Sequence, residues 1–199
     1  MDFATLERLR EAANRGGGHA ALALAQVIGD RRLDIDVPAV GYDRGAELLR
    51  NLGGAATPVA AVHLRLLGSA PGDLFLMLPE QAARALAEIL LREGGPSPLD
   101  PEARSALTET GGLVAAALLG ALSRATGLPL LANAPRFVRG SLLDLVGRSN
   151  EAALHLLTRF SDRPCTGRGA EPLRALFGHF VVLPGAAVLR HASAQAVAY

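Results

Sequence analysis

Glu11-Ala12-Ala13-Asn14-Arg15-Gly16-Gly17-Gly18-His19-Ala20-Ala21, followed downstream by Leu33-Asp34-Ile35-Asp36-Val37-Pro38, is the stretch on which the reading of this chain turns. With Leu6, Leu9, Ala13, Ala20, Leu24 and Val27 at near-helical spacing, residues 2–29 are predicted to form one long helix. The alternation from Leu33 to Val37 predicts a short strand that ends at Pro38. Glu7, Glu11 and Asn14 fall at i, i+4 and i+7, so one helix face carries two carboxylates and a carboxamide in line. The three glycines cost a helix interior about 3 kcal/mol relative to alanine. Close approach by another backbone would offset that loss, because glycine leaves no side chain in the way.

The same pattern returns later in the chain. Glu11 and Glu109 are 98 residues apart, as are Asn14 and Gly112, and Pro38 and Pro135 are 97 apart. Each half runs through an Ala/Gly/Leu-rich helix, a short strand and a proline, and Gly111-Gly112 of the second half is matched to the glycines of the first. Further predicted elements are strands at Val59–Leu67 and Leu74–Leu78, then a helix over Glu80–Arg92 opened by Pro79. Glu93–Pro101, with two glycines and three prolines, reads as a boundary between the halves. Beyond it come a helix at 102–126, strands at Leu128–Ala132, Glu151–Phe160 and Phe177–Leu183, an exposed loop at Ser161–Gly169, and an apolar segment after Pro184. The expectation is an α+β fold: a single domain over 1–199 built from two repeats, about 2–92 and 102–197. Its pseudo-twofold halves would pack long helices on one antiparallel sheet.

Composition narrows the function classes. Half of the 199 residues are hydrophobic, enough for a sizeable core. Twenty arginines face nineteen acidic residues with no basic run, and tryptophan is absent, which argues against a nucleic-acid partner. The longest apolar or glycine run, Gly111–Leu122, is shorter than the ~18–20 residues that span a bilayer, and Asp2, Glu7 and Glu11 do not suit a signal peptide. No membrane insertion is expected, and the lone Cys165 points to a reducing compartment, the cytoplasm. The five histidines lack metal-ligand spacing, so no metal is expected, and neither a Gly-x-Ser-x-Gly elbow nor a Gly-x-Gly-x-x-Gly loop occurs.

The residues alone leave two readings open: a solvated helix face interrupted by glycines, or a docking helix that carries an amide to a partner's reactive group. The motif around Glu11, Asn14 and Pro38 resembles that of the CheC-type phosphatases of chemotaxis (the CheC/CheX/FliY family). Their signature is Asp or Ser, three residues, Glu, two residues, Asn, and a distant Pro. Glu11 and Asn14 match it, whereas Glu7 stands where Asp or Ser is usual. The 23 residues between Asn14 and Pro38 are one more than usual. In the second copy Ser105, Glu109 and Pro135 match, but Gly112 replaces the Asn.

The resemblance implies dephosphorylation of an aspartyl-phosphorylated CheY-type response regulator. Asn14 would orient the attacking water, Glu11 would contact the regulator's active-site lysine, and the regulator would bring its own Mg²⁺, so the chain needs no cofactor. Glu7, Arg15, Gly17 and Gly18 are the expected partner-docking residues. The site at Ser105, Glu109 and Gly112 is expected to be degenerate, because glycine has no amide side chain to hold a water. The rival reading is a non-catalytic binding module for a response regulator or for the receptor deamidase CheD. A flagellar-switch component like FliY is less expected, since no appended domain follows Tyr199.

Overall fold

The computed structural model describes residues 3–28, 31–68, 71–91, 99–147, 152–164 and 175–183. Its elements are α1 (Phe3–Ile28), β1 (Arg31–Asp43), α2 (Gly45–Asn51), β2 (Pro58–Leu67), β3 (Gly72–Pro79), α3 (Glu80–Leu91), α4 (Pro101–Thr126), β4 (Leu131–Ala132), β5 (Arg136–Ser141), α5 (Leu142–Val146), β6 (Ala153–Pro164) and β7 (Ala175–Leu183). The seven strands form one antiparallel sheet in the order β1-β6-β7-β3-β2-β4, with β5 also paired to β2.

The order helix, strand, short helix, strand, strand runs from α1 to β3 and returns from α4 to β7, where two short strands, β4 and β5, stand in place of the first strand. Pairing locks the two passes together. β1 lies on β6 of the second pass, β5 lies on β2 of the first, and β3 meets β7 at the centre. Neither half completes its own sheet, so the ladder hydrogen bonds of each depend on the other.

The strands bury both faces, which explains their near-continuous apolar runs. On one face Val62, Leu64, Leu74, Leu76, Leu154, Phe160 and Phe180 pack with Leu9 and Ala13 of α1, Leu86 of α3 and Leu118 of α4. On the other face Val59, Ala61, Phe75, Met77, Ala153 and Val181 pack with Leu48 of α2 and Leu142 and Val146 of α5. By length and composition α4 could cross a membrane. Here Val114, Ala115, Leu118 and Leu122 are fully buried against the rest of the fold.

The glycines of α1 divide by position. A Cβ on Gly16 would stand 2.8 Å from the Ala117 carbonyl oxygen and 2.9 Å from Ala121 Cβ, so Gly16 lets α1 and α4 cross closely. A Cβ on Gly17 would stand 2.6 Å from the Ile35 carbonyl oxygen, so Gly17 lets β1 press against the helix. Gly18 is exposed, with open space where a Cβ would be. The second-copy glycines have other roles. Gly111 admits Val62 of β2, and Gly112 admits the Pro135 ring.

Several expectations are corrected. β1 does not end at Pro38 but bulges there and continues to Asp43. The strand expected at Leu128–Ala132 shrinks to Leu131–Ala132. Ser161–Pro164, expected in a loop, continue β6. α2, β5 and α5 were not anticipated. Most of the Glu93–Pro101 boundary, residues 165–169 of the expected loop, the segment after Pro184 and the outer ends of both repeats lie outside the described residues.

The glycine geometry predicts opposite outcomes for neighbouring substitutions. Gly17→Ala should destabilise the fold by about 1–3 kcal/mol, since its methyl meets backbone rather than a movable side chain. Gly18→Ala, helical and unobstructed, should stabilise it by up to about 1 kcal/mol. Chemical denaturation of the two variants beside the parent chain checks both signs.

Candidate functional site

Asn14 is held by β1. Its Nδ2 donates to the Val37 carbonyl oxygen at 3.1 Å, and its Oδ1 accepts from the Val37 N–H at 2.7 Å. The β1–β6 register shifts between Asp36, opposite Arg159, and Ala39, opposite Leu157. Val37 and Pro38 together therefore face the single residue Thr158. Both polar groups of the Val37 backbone find their partner in one carboxamide of α1.

Of the other predicted residues of this copy, Glu7, Glu11, Arg15 and Gly18 lie on the outer side of α1. Glu11 is exposed and accepts no hydrogen bond among the described residues, while Asn14, one turn on, is half-buried. Glu7 is paired with Arg10, whose Nη2 donates to Oε2 at 2.8 Å. That bond, the Glu7 charge and Glu11 nearby raise the Arg10 guanidinium above its usual range, against a smaller opposing effect of desolvation. Arg15 and Gly18 are exposed. Gly17 is buried under Ile35, which removes it from the expected docking surface. Nor is Asn14 a freely projecting amide. Nδ2 has a second hydrogen and Oδ1 a second lone pair, and neither is used among the described residues. The carboxamide therefore keeps one donor and one acceptor while its orientation is fixed.

The second copy differs in more than a missing amide. Ser105 and Glu109 are exposed on α4, and Gly112 is half-buried beside Pro135. A Cβ on Gly112 would lie 2.9 Å from Pro135 Cγ, so the proline ring occupies space that an asparagine would need. The matching strand is broken into β4 and β5 over Asn133–Pro135. Asn133 joins Arg65 instead, donating its N–H to the carbonyl oxygen at 3.0 Å and accepting the Arg65 N–H on Oδ1 at 2.7 Å. What remains between α4 and β4 is a groove of about 620 Å³, lined by Leu113, Ala116, Gly120, Leu131 and Pro135 with Glu109 at its rim.

A second polar cluster, missed from sequence, sits on the opposite face of the sheet. His155 Nε2 is 2.8 Å from Asp43 Oδ2, which also accepts from Asn51 Nδ2 at 2.5 Å. Burial pushes the Asp43 carboxyl up, but the hydrogen bonds from His155 and Asn51 outweigh it and hold the group below its usual range. A Cβ on Gly41 would collide with the His155 ring, so the glycine lets the imidazole lie across β1. His179 stands edge-on to His155 at 6.3 Å, and its Nδ1 is buried without a hydrogen-bond partner. Desolvation and the nearby His155 lower its pKa to about 4. Among the described residues no three His, Cys, Asp or Glu side chains are placed to hold a metal ion.

No protein-family model matches the chain. The CheY-P phosphatase CheC of Bacillus subtilis (strain 168) is 35% identical over 137 residues, which cover 65% of this chain and 64% of that protein. The match thus spans less than two thirds of the relative's length. Among solved structures, Thermotoga maritima FliY superposes with a TM-score of 0.73 at 14% identity, covering 98% of each chain. A chain of the FliM-SpeE complex from H. pylori superposes with a TM-score of 0.69 at 12% identity, covering 98% of this chain and 97% of that one. Helices packed on a doubled antiparallel sheet place the protein in the α+β class shared with these structures. In sequence the chain is similar to CheC, and it shares its fold with FliY and FliM.

Two predictions follow from this geometry. Gly112→Asn should cost about 1–3 kcal/mol through overpacking against Pro135, measured by denaturation. The second concerns His179. Its folded pKa of about 4 lies below the ordinary 6.5, so the unfolded chain binds more protons between these values. Stability is therefore full above pH 6.5 and falls as the pH drops toward 4, by at most about 3 kcal/mol from this group. His179→Gln should flatten that part of the stability-against-pH curve, measured by urea unfolding at several pH values.

Proposed function

We propose that the chain is a CheC-like phosphatase that removes phosphate from an aspartyl-phosphorylated CheY-type response regulator in the cytoplasm. The observation that carries this reading is the α1 face itself, where an exposed Glu11 stands one turn from a carboxamide of fixed orientation. The similarity to a CheY-P phosphatase supports the same reaction. An acyl phosphate is already reactive, so a catalyst needs chiefly to place a water in line and stabilise charge. In this reading Asn14 orients the water with its remaining N–H or oxygen, and Glu11 pairs with a lysine of the regulator. The phosphorylated regulator supplies Mg²⁺, and the chain contributes no cofactor. Arg15, Glu7 and Gly18 border the docking face. The Gly112 site is catalytically silent.

A second reading is a binding module that holds a response regulator, or CheD, without catalysis. It is favoured by the two bonds to Val37, which give Asn14 a structural role independent of any reaction.

Phosphate release from a phosphorylated CheY-type regulator separates the two. Wild type should accelerate it. Asn14→Ala should lower kcat/KM on the order of a hundredfold while the affinity for the regulator stays within about threefold. Glu11→Ala should weaken both. A wild-type chain that forms the complex but leaves phosphate decay unchanged would establish the binding module instead. Asn14→Ala also leaves two backbone groups of Val37 unpaired, at about 1–3 kcal/mol, so its melting temperature must be measured beside its rate.

A further inference from the structure

We propose that Pro38 is a positioning residue for Asn14, fixing the carboxamide by reserving the Val37 backbone for it. The role in turnover rests on the phosphatase reading; the clamp itself does not. β1 carries one residue more than β6 between Asp36 and Ala39. Proline has no N–H to lose from a ladder, so the extra residue is accommodated most cheaply there. Proline also confines the preceding residue to extended backbone, which fixes the direction of the Val37 groups. Those groups are then taken up by Asn14 at 2.7 and 3.1 Å. Turning the carboxamide away would break both bonds at once.

The second copy serves as an internal control. Pro135 is retained, but position 112 has no amide, and there the strand is not bulged but severed into β4 and β5. The proline ring settles into the space above Gly112, and Asn133 finds its partners on Arg65. Proline alone therefore does not produce the clamp. Proline and amide together do, which gives the distant proline of the motif a physical task in placing the amide.

The test uses the full chain with isotope labels. In the wild type, the Asn14 side-chain amide should show one hydrogen shifted from free-amide values and slow to exchange, and the Val37 N–H should be protected. In Pro38→Ala the bulge can migrate, so the Asn14 signals should move to free-amide positions and their exchange should accelerate at least tenfold. With the phosphorylated regulator, Pro38→Ala should lower kcat at least tenfold and leave KM within about twofold, a split that general loss of structure would not give. Unchanged Asn14 signals together with unchanged kcat in Pro38→Ala would overturn the proposal. If that variant does not fold, exchange at Val37 decides: protection in the wild type that is lost in Asn14→Ala supports the clamp, and rapid exchange in the wild type overturns it. A wild type that leaves phosphate decay unchanged would count against the phosphatase reading alone, because the amide signals still report the clamp.

Discussion

An edge strand that contains a proline has backbone groups that its neighbour cannot pair, and in this chain one carboxamide takes two of them. The Asn14–Val37 bonds join the N-terminal helix to the edge of the sheet where β1 changes register. The two glycines beneath make the junction possible. Gly17 lets Ile35 approach within contact of the helix backbone, and Gly16 lets α4 come equally close beside it. Helix, edge strand and partner helix are thus fixed relative to one another by one amide and two absent side chains. The exposed face bearing Glu11 inherits that fixity. A surface that presents a carboxamide to a partner gains from such rigidity, because freedom removed during folding need not be removed again on docking.

Much of this was legible in the sequence, for identifiable reasons. The long helices announce themselves by apolar spacing, and β2 and β3 by continuous apolar runs, because burial on both faces leaves no polar alternation. The glycine cost correctly signalled close backbone approach at Gly16 and Gly17, but run length could not distinguish Gly18, which touches nothing. Pro38 misled for a sound reason. Proline usually ends a strand, and only the tertiary partner of Val37 shows why this one does not. β5, Arg136-Phe-Val-Arg-Gly-Ser141, hides its Phe137-Val138 pair among arginines whose side chains reach outward, Arg139 to Glu80 and Arg136 to His63. α5 could have been found, since Ser141 and Asp144 form a reciprocal capping box. The His155–Asp43–Asn51 cluster could not, because its members meet only when β1 pairs with β6 across more than a hundred residues.

The duplication explains both what the halves share and where they part. Because β1 lies on β6 and β5 on β2, each half completes the other's sheet. Loss of either first strand would expose the other half's hairpin, so the framework of both copies is held in place whatever happens to the individual side chains of one helix face. The residue at 14 or 112 is under no such constraint. It can change from a clamping amide to a glycine, provided the strand beside it finds another way to satisfy its backbone, as Asn133 does on Arg65.

That freedom lets the two copies of one junction present different surfaces. The same helix–strand junction is a polar site when an amide bridges it and an apolar groove when a proline ring fills the gap. In the second copy Glu109 survives at the rim while Leu113, Ala116 and Leu131 line the floor and wall. The carboxylate of the motif is kept and its carboxamide is gone. A partner meeting α4 would find a carboxylate and an apolar trough, whereas one meeting α1 would find a carboxylate and a fixed carboxamide. The two faces of the pseudo-twofold thus offer different chemistry on one scaffold, and the difference begins with whether position 14 or 112 can reach the backbone before a proline.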